Sequence, residues 1–502
     1  MAGKRTAHKR ERAEDTFACK LSMYIEKSGL TIQKLAAVTG LGRTAIQHTL
    51  AGKLVPAKSF VDRLCAALPM TPDQRTELSN QYAREKAGDA VYYNRCRIKE
   101  IIESLPQYRI SETMTRFTME NNDKFPCPVG SVCPVKTVTG IVNVNSLFRT
   151  VIITECRTED PHFTAALPME SLFFEMLPQI LSASGRRARL EHYFTMNTCA
   201  EGEKNTNMDI LQGALKTAMC AAVDYSPYYH YISPETEDNI LAPYPYYIVT
   251  SEFSLLISAD HSSAVMIDSP ELREELLRHS ERIKSRSSLM IKQVGQPEMF
   301  DTFANSAQYF YSSIEYQPCL TGFITEDILL KRLGNVPDRD GILQTVSEKF
   351  FSGNKQDSGH FKNFFTKEGL ISFAETGQMT NMPGSLLMPM SREERIYFLE
   401  SMKSAAGSYV MLTKDFAVPS FMQVICLTNR QLIISCLTEE KNFCCLLTEP
   451  GLCGAFEDLI DNLTDSGLTE SVGILTAVID CCIDMLKSSE EENLTDKIAM
   501  EA

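Results

Sequence analysis

No stretch of this sequence approaches the roughly eighteen consecutive apolar residues that a membrane-spanning helix requires. The nearest, Gly473 to Leu486, is broken by Asp480 and Asp484, so no membrane partner is expected. The first fourteen residues, MAGKRTAHKRERAE, have no apolar segment, which argues against a secretory signal and predicts a flexible basic arm over residues 1–14. A glycine-rich phosphate loop is also missing. The 8 histidines fall at no recognisable spacing from Cys, Ser or Asp, so neither a nucleophile with its base nor a metal set can be read, and neither an enzyme nor a cofactor is expected. The 16 cysteines are scattered along 502 residues, a length that buries a core without disulfide staples, and a reducing cytoplasm is the expected compartment. Cys127 and Cys133, in CPVGSVCP, have five residues between them and no second pair nearby. That spacing is not a zinc knuckle, and a proline-rich loop with two ordinary thiols is expected.

What the chain does have is an uneven distribution of charge. Residues 1–100 hold 18 Lys plus Arg against 10 Asp plus Glu, a balance of +8, so the remainder carries −22 to reach the overall −14. A protein this acidic is repelled by a polyanion except where it presents a basic face, and only the amino-terminal fifth offers one.

Within that fifth, Thr31 to Pro56 reads as two short helices joined by a glycine turn. Thr31 is suited to cap a first helix ending near Thr39, with Leu35 and Ala36 facing inward. Gly40 permits the turn, and Gly42 can cap a second helix from Arg43 to Leu50. On that helix Ile46 and Leu50 lie one turn apart and face the core with Leu41. The opposite face carries Arg43, Thr44, Gln47 and His48, side chains able to donate to base edges or phosphates. Gln33 on the first helix, and Lys53, Lys58 and Arg63 beyond the second, are further candidates for phosphate contact. Apolar stripes flank the pair, Phe17, Leu21, Tyr24 and Ile25 before it and Phe60, Leu64, Ala67 and Leu68 after it, so that four short helices can share one core.

The segment from about residue 15 to 70 resembles the phage-repressor, Cro-like helix-turn-helix family, also called XRE. The matching residues are Leu35 and Ala36, Gly40 and Leu41 at the turn, Ile46, and the loop Gly52-Lys53-Leu54-Val55-Pro56. The resemblance implies an all-α, lambda-repressor-like domain that binds double-stranded DNA, with Arg43, Thr44 and His48 at the base-reading positions. The sequence departs from the family at Ile32, where a glutamine usually begins the helix and Gln33 comes next, and at Leu50, where an acidic residue usually precedes the loop glycine.

Thr71-Pro72-Asp73-Gln74 has the form of a capping box with proline at the first helical position, opening a helix through Leu78 and Tyr82. Val91, Ile98, Ile101, Ile102 and Leu105 then form a single helical stripe, closed by Pro106, that suits either packing on a larger domain or pairing with its twin in a dimer. Residues 71–106 are accordingly read as linker helices. From 107 onward, alternating strand and helix patterns predict an α/β or α+β region, divided at 107–330 and 331–490 and followed by an acidic tail at 491–502. Strands are expected at Gly140 to Val144, Thr150 to Glu155, Arg189 to Phe194 and Tyr246 to Val249, and helices at Met169 to Leu181 and Met208 to Val223.

A strand, turn, strand and proline-started helix from Phe253 to Leu272 returns from Gln431 to Leu452, offset by 178 to 180 residues. Helical stretches, Met208 to Val223 and Arg392 to Ser404, precede the two copies. Both a diverged duplication into two related subdomains and chance recurrence of a common unit fit this pattern. The first copy faintly resembles phospholipase-D-like domains attached to some regulators, but His261-Ser262-Ser263 lacks the His-x-Lys pattern of that chemistry. Residues 225–247 hold seven of the 18 tyrosines, around His230, which suits a ligand pocket, an interface or plain core packing.

Together these features predict a cytoplasmic, sequence-specific DNA-binding transcriptional regulator. Its acidic remainder would sense a small-molecule or protein effector or mediate dimerisation, because two half-sites read more base pairs than one helix can. Two other classes stay open at this stage: a protein-interaction or antitoxin-like module using the helices as scaffold, and an enzyme fused to a DNA-binding address.

Overall fold

In the computed structural model, the described residues are 16–105, 135–198, 205–232, 243–306, 309–334, 339, 341, 361–380, 387–420, 422–437 and 442–488. The basic arm, Pro106, the Cys127–Cys133 loop and the acidic tail lie outside them. The chain divides into two compact units, the first of Met1–Arg97 with Glu201–Asn205 and the second of Ile98–Ala200 with Thr206–Ala502.

The first unit is helical: α1 (Phe17–Ser28), α2 (Ile32–Thr39), α3 (Arg43–Leu50), α4 (Lys58–Ala67) and α5 (Pro72–Ala87). Their boundaries follow local chemistry. The Thr16, Thr31 and Thr71 hydroxyls accept from the backbone N–H three residues on, and Gln74 completes the Thr71 capping box by accepting from the Thr71 N–H at 3.0 Å. Gly29 and Gly40 end α1 and α2 in the left-handed conformation. One core takes Phe17, Leu21, Tyr24 and Ile25 from α1, then Leu35, Ile46, Val61 and Leu64. Leu78 and Tyr82 of α5 enter the same core, so the first of the segments read as linker helices is a structural wall of this unit. Lys20 and Tyr24 both meet the Glu77 carboxylate at 2.7 Å, which ties α5 to α1.

The next helix, α6 (Asp89–Ser104), buries Ile98, Ile101 and Ile102 with Leu105 in the core of the second unit, alongside Phe148 and Val151. Its apolar stripe therefore packs within the chain.

The second unit holds two sheets. The first is built from β1 (Val135–Thr139), β2 (His162–Ala166), β3 (Ala188–Asn197), β4 (Val223–Ile232), β5 (Tyr246–Val249), β6 (Ser254–Ile257), β7 (Ser263–Ile267) and β8 (Ser288–Leu289). Around it lie α7 (Ile141–Glu155), α8 (Phe173–Ser184), α9 (Thr206–Ala218) and α10 (Pro270–Lys284). The second comprises β9 (Ile291–Gln293), β10 (Phe310–Glu315), β11 (Lys362–Phe365), β12 (Tyr409–Met411), β13 (Met422–Leu427), β14 (Gln431–Leu437) and β15 (Asn442–Leu447). Its helices are α11 (Gln296–Ser306), α12 (Glu326–Arg332), α13 (Lys367–Thr376), α14 (Arg392–Ser404), α15 (Pro450–Ser466) and α16 (Val472–Lys487).

The strand orders are β1-β7-β6-β5-β2-β3-β4-β8 and β12-β11-β10-β13-β14-β15-β9. Both contain one six-strand pattern. Three parallel strands lie in chain order, β2-β3-β4 and β10-β11-β12, joined by crossovers that carry helices. An antiparallel strand, β5 or β13, adds to the outer side of the first of them, and a further pair, β6-β7 or β14-β15, extends the sheet. Helices α9 and α14 precede the third parallel strand of each copy, and the proline-started α10 and α15 follow the last strand of each copy. The recurrence read over one hairpin and helix thus extends through six strands with the same order and direction.

The two sheets meet through one extended segment. Leu289 in β8 pairs with Tyr228 in β4, while Ile291 in β9 pairs with Leu447 in β15; between them Met290 donates to the Pro227 carbonyl at 2.8 Å and accepts from the Thr448 N–H at 3.0 Å. A single apolar cluster, including Ile248, Leu255, Val424 and Ile434, spans both.

Several expectations are corrected. Residues 140–144 and 150–155 are not strands but parts of α7, whose Val144, Leu147, Phe148, Val151, Ile152 and Glu155 are buried at helical spacing. Burial of that face outweighs the strand preference of its β-branched residues. The strand in this region is β1, just upstream. The helix begun at Met208 stops at Ala218, and Val223 already belongs to β4. The change of sheet falls at Met290, not near residue 330, because β9 and β10 already pair within the second sheet.

Candidate nucleic-acid interface

The exposed face of α3 is set by what its other face must bury. Ile46 is fully buried, and Thr49 is nearly so, its hydroxyl donating to the Ala45 carbonyl at 2.9 Å. With these turned inward, Arg43, Thr44, Gln47 and His48 are all exposed. No side chain caps α3 at Gly42, so its first N–H groups stay open to an anion.

Gln33 is exposed on the first turn of α2, beside the equally exposed Lys34, which the sequence reading passed over. The loop after α3 folds back on the helix end: Gly52 adopts a φ of 65°, and the Lys53 N–H donates to the His48 carbonyl at 2.9 Å. This places Lys53 beside the last turn of α3, exposed. Lys58 is half-buried and pairs with Asp62 at 3.5 Å, which partly neutralises it; Arg63 is exposed. Among the described residues, the side chains of Arg43, His48, Lys53 and Arg63 form no hydrogen bond or ion pair within the protein. Their charge and donors are uncommitted in the folded unit.

A residue read from the sequence only as part of the helix that the Thr71 capping box opens also shapes this surface. The Tyr82 hydroxyl, buried, donates to the Pro56 carbonyl at 2.9 Å and anchors the end of the basic loop, while its ring meets Phe17 edge-on at 5.4 Å. The capping box that positions α5, Thr71 with Gln74, was the available signal.

One family match agrees with this geometry. The family described as helix-turn-helix domain matches this chain at residues 10–78. The described part of that stretch, residues 16–78, folds as a helix-turn-helix domain. The match takes in α1 to α4 and the start of α5, so the helix-turn-helix domain includes Leu78 as well as the exposed face of α3. No curated protein matches the chain.

Three solved structures are similar to it at low levels. TrmBL2, titled an archaeal chromatin protein that shows a novel mode of DNA binding, is 11% identical over 45% of this chain and 86% of its own, with a TM-score of 0.23. Polyphosphate kinase from Porphyromonas gingivalis is 10% identical over 73% of this chain and 55% of its own, at 0.20. Phosphatidylserine synthase from Haemophilus influenzae Rd KW20 is 9% identical over 70% and 92%, at 0.20. At these scores none of the three informs the reading of this chain.

In the second unit, the Tyr-rich segment divides between roles. Tyr225, Tyr229 and Tyr247 are buried, whereas Tyr231 is exposed at the end of β4. Tyr225 meets His192 Nδ1 at 2.8 Å, and His192 Nε2 lies 2.8 Å from the Leu167 carbonyl. Complete burial holds the pKa of His192 down to about 3, so it is a neutral structural linker of β2, β3 and β4. His261 sits in the β6–β7 turn with a φ of 56°, beside an Asp260 carboxylate already occupied by Ser258 and Ser262. No helix among the described residues is long and apolar enough to cross a membrane.

Proposed function

We propose that this protein is a cytoplasmic, sequence-specific DNA-binding transcriptional regulator of the XRE type, acting as a homodimer. In this reading α3 enters the major groove, Arg43, Thr44, Gln47 and His48 meet base edges, and Gln33, Lys53 and Lys58 hold the backbone. The acidic unit senses an effector or joins the two copies and has no catalytic role. The observation that carries this proposal is the uncommitted polar face of α3: its side chains are exposed and unpaired in an otherwise acidic protein. The +8 balance of residues 1–100 supports the same docking end.

Selection of genomic fragments with the full chain at a stated salt concentration tests it. The expected product is one motif with two half-sites about one helical turn, roughly 10 base pairs, apart. Recovery of no motif, together with binding that does not respond to salt, would remove the proposal and favour a scaffold role.

Tyr82→Phe, which deletes only a hydroxyl, probes the support of the surface. It is expected to cost about 0.5–1.5 kcal/mol of stability. Affinity for the selected duplex should fall severalfold, because the loop bearing Lys53 loses its anchor. Unfolding midpoints and duplex titrations measure the two effects, and an unchanged affinity would mean that the loop keeps its shape without Tyr82.

A further inference from the structure

A cavity of about 230 Å³ opens in the second unit where the first residues of β10 and β11 meet the middle of α15. It is several times the roughly 30 Å³ share of one water and lies below the range of drug-sized sites, which limits an organic occupant to about the size of a single amino acid.

An irregularity in β10 shapes one wall. Phe310 pairs with Leu427 of β13 and Ser312 with the adjacent Cys426, so Tyr311 is the extra residue of a β-bulge. Phe310 packs with Leu427 in one apolar cluster, while Tyr311 and Ser312 both turn to the cavity and α15. Lys362, the neighbour of Ser312 in the parallel β10–β11 pair, lines the same cavity, and Ser408, just before β12, closes it on the far side of β11.

Two opposite charges face this space without meeting. Lys362 is exposed and forms no hydrogen bond or ion pair among the described residues. Asp461, exposed on α15, accepts from the Tyr311 hydroxyl at 2.9 Å, which orients one carboxylate oxygen and leaves the other open. Both groups line the cavity, yet no ion pair joins them, so a group of each sign fits between them. The arrangement also discriminates. Asp461 repels a bare anion and Lys362 repels a bare amine, whereas a zwitterion satisfies both. The half-buried Ser408 hydroxyl, which makes no hydrogen bond among the described residues, is a further donor. The rest of the lining is apolar, with the half-buried ring of Phe361 beside Phe364 and Ile460.

We infer that this cavity binds a free apolar α-amino acid, with its carboxylate on Lys362 and Ser408, its ammonium on Asp461 and its side chain against Phe361. This rests on the effector-sensing half of the function proposed above and names the ligand class. The test uses no DNA, so its failure leaves the DNA assignment standing. The full chain is titrated by calorimetry with alanine, valine, leucine and phenylalanine, and separately with 4-methylpentanoate and 3-methylbutylamine, which keep the leucine side chain but lack its ammonium and its carboxylate. An amino acid is expected to bind one per chain, and each analogue at least about tenfold more weakly. Lys362→Gln and Asp461→Asn change exposed side chains, and the second keeps an acceptor for Tyr311, so both should unfold at the parent temperature. Each should lose at least about tenfold in amino-acid affinity. Absence of binding by all four amino acids, either analogue binding as tightly as the best of them, or parent-like affinity in either variant would overturn the inference.

Discussion

Arg43→Ala is expected to weaken binding to the selected duplex by about 1 to 3 kcal/mol, roughly 5- to 150-fold, with no change in the unfolding temperature. The two halves of that expectation come from the same fact. Arg43 is the first residue of α3, exposed and without a partner in the folded unit, so truncating it removes no intramolecular interaction. The same exposure leaves its guanidinium free for the paired acceptors of a guanine edge. The loss should be concentrated at one base position, whereas Lys53→Ala should weaken all sequences alike and lower the salt dependence by about one counterion. Equal affinity of the Arg43→Ala variant and the parent across the selected site would remove α3 from the base-reading role.

How much of this was legible in the sequence depends on the range over which each signal acts. The helix-turn-helix domain is written in local chemistry. Thr31, Gly40, Gly42 and Gly52 act within three or four residues, and the structure places each at the cap or turn its type demands. The Thr71 box and the proline starts of α10 and α15 are equally local. In α7 the local signal points the wrong way. Its β-branched run suggests strands, and only the burial of every third or fourth residue in the core, against α8 among others, makes it a helix.

Sheet order is less accessible still. β2 pairs with β3 and β5, and β10 with β11 and β13, across separations that no spacing within either strand encodes.

The largest loss of stability is expected from a single methyl group, in Gly369→Ala. Gly369 lies in the first turn of α13, where its N–H donates to the capping hydroxyl of Thr366 at 3.0 Å. A Cβ built there would stand 1.8 Å from the Tyr316 carbonyl oxygen and 2.9 Å from the Gln317 Cα. Those are backbone atoms, and they are held. The Tyr316 carbonyl accepts from the Thr366 N–H at 3.1 Å and the Thr366 hydroxyl at 2.8 Å, while the Gln317 side chain accepts from the Thr380 N–H at 2.8 Å. Moving them also disturbs a fully buried network, in which Asn363 donates to Ser313 at 2.8 Å and to Glu315 at 2.9 Å. Relief by side-chain rotation is therefore closed off, and the cost should reach about 3 kcal/mol or more. Gly454→Ala, in the interior of α15 with nothing within 4 Å of the added Cβ, should act in the opposite direction, by about 0.5 to 1 kcal/mol. Thermal unfolding of the full chain followed by hydrogen exchange in α13 and α15 separates the two sites. A Gly369→Ala protein as stable as the parent would show that α13 does not bear on the 316–317 backbone as closely as the geometry requires.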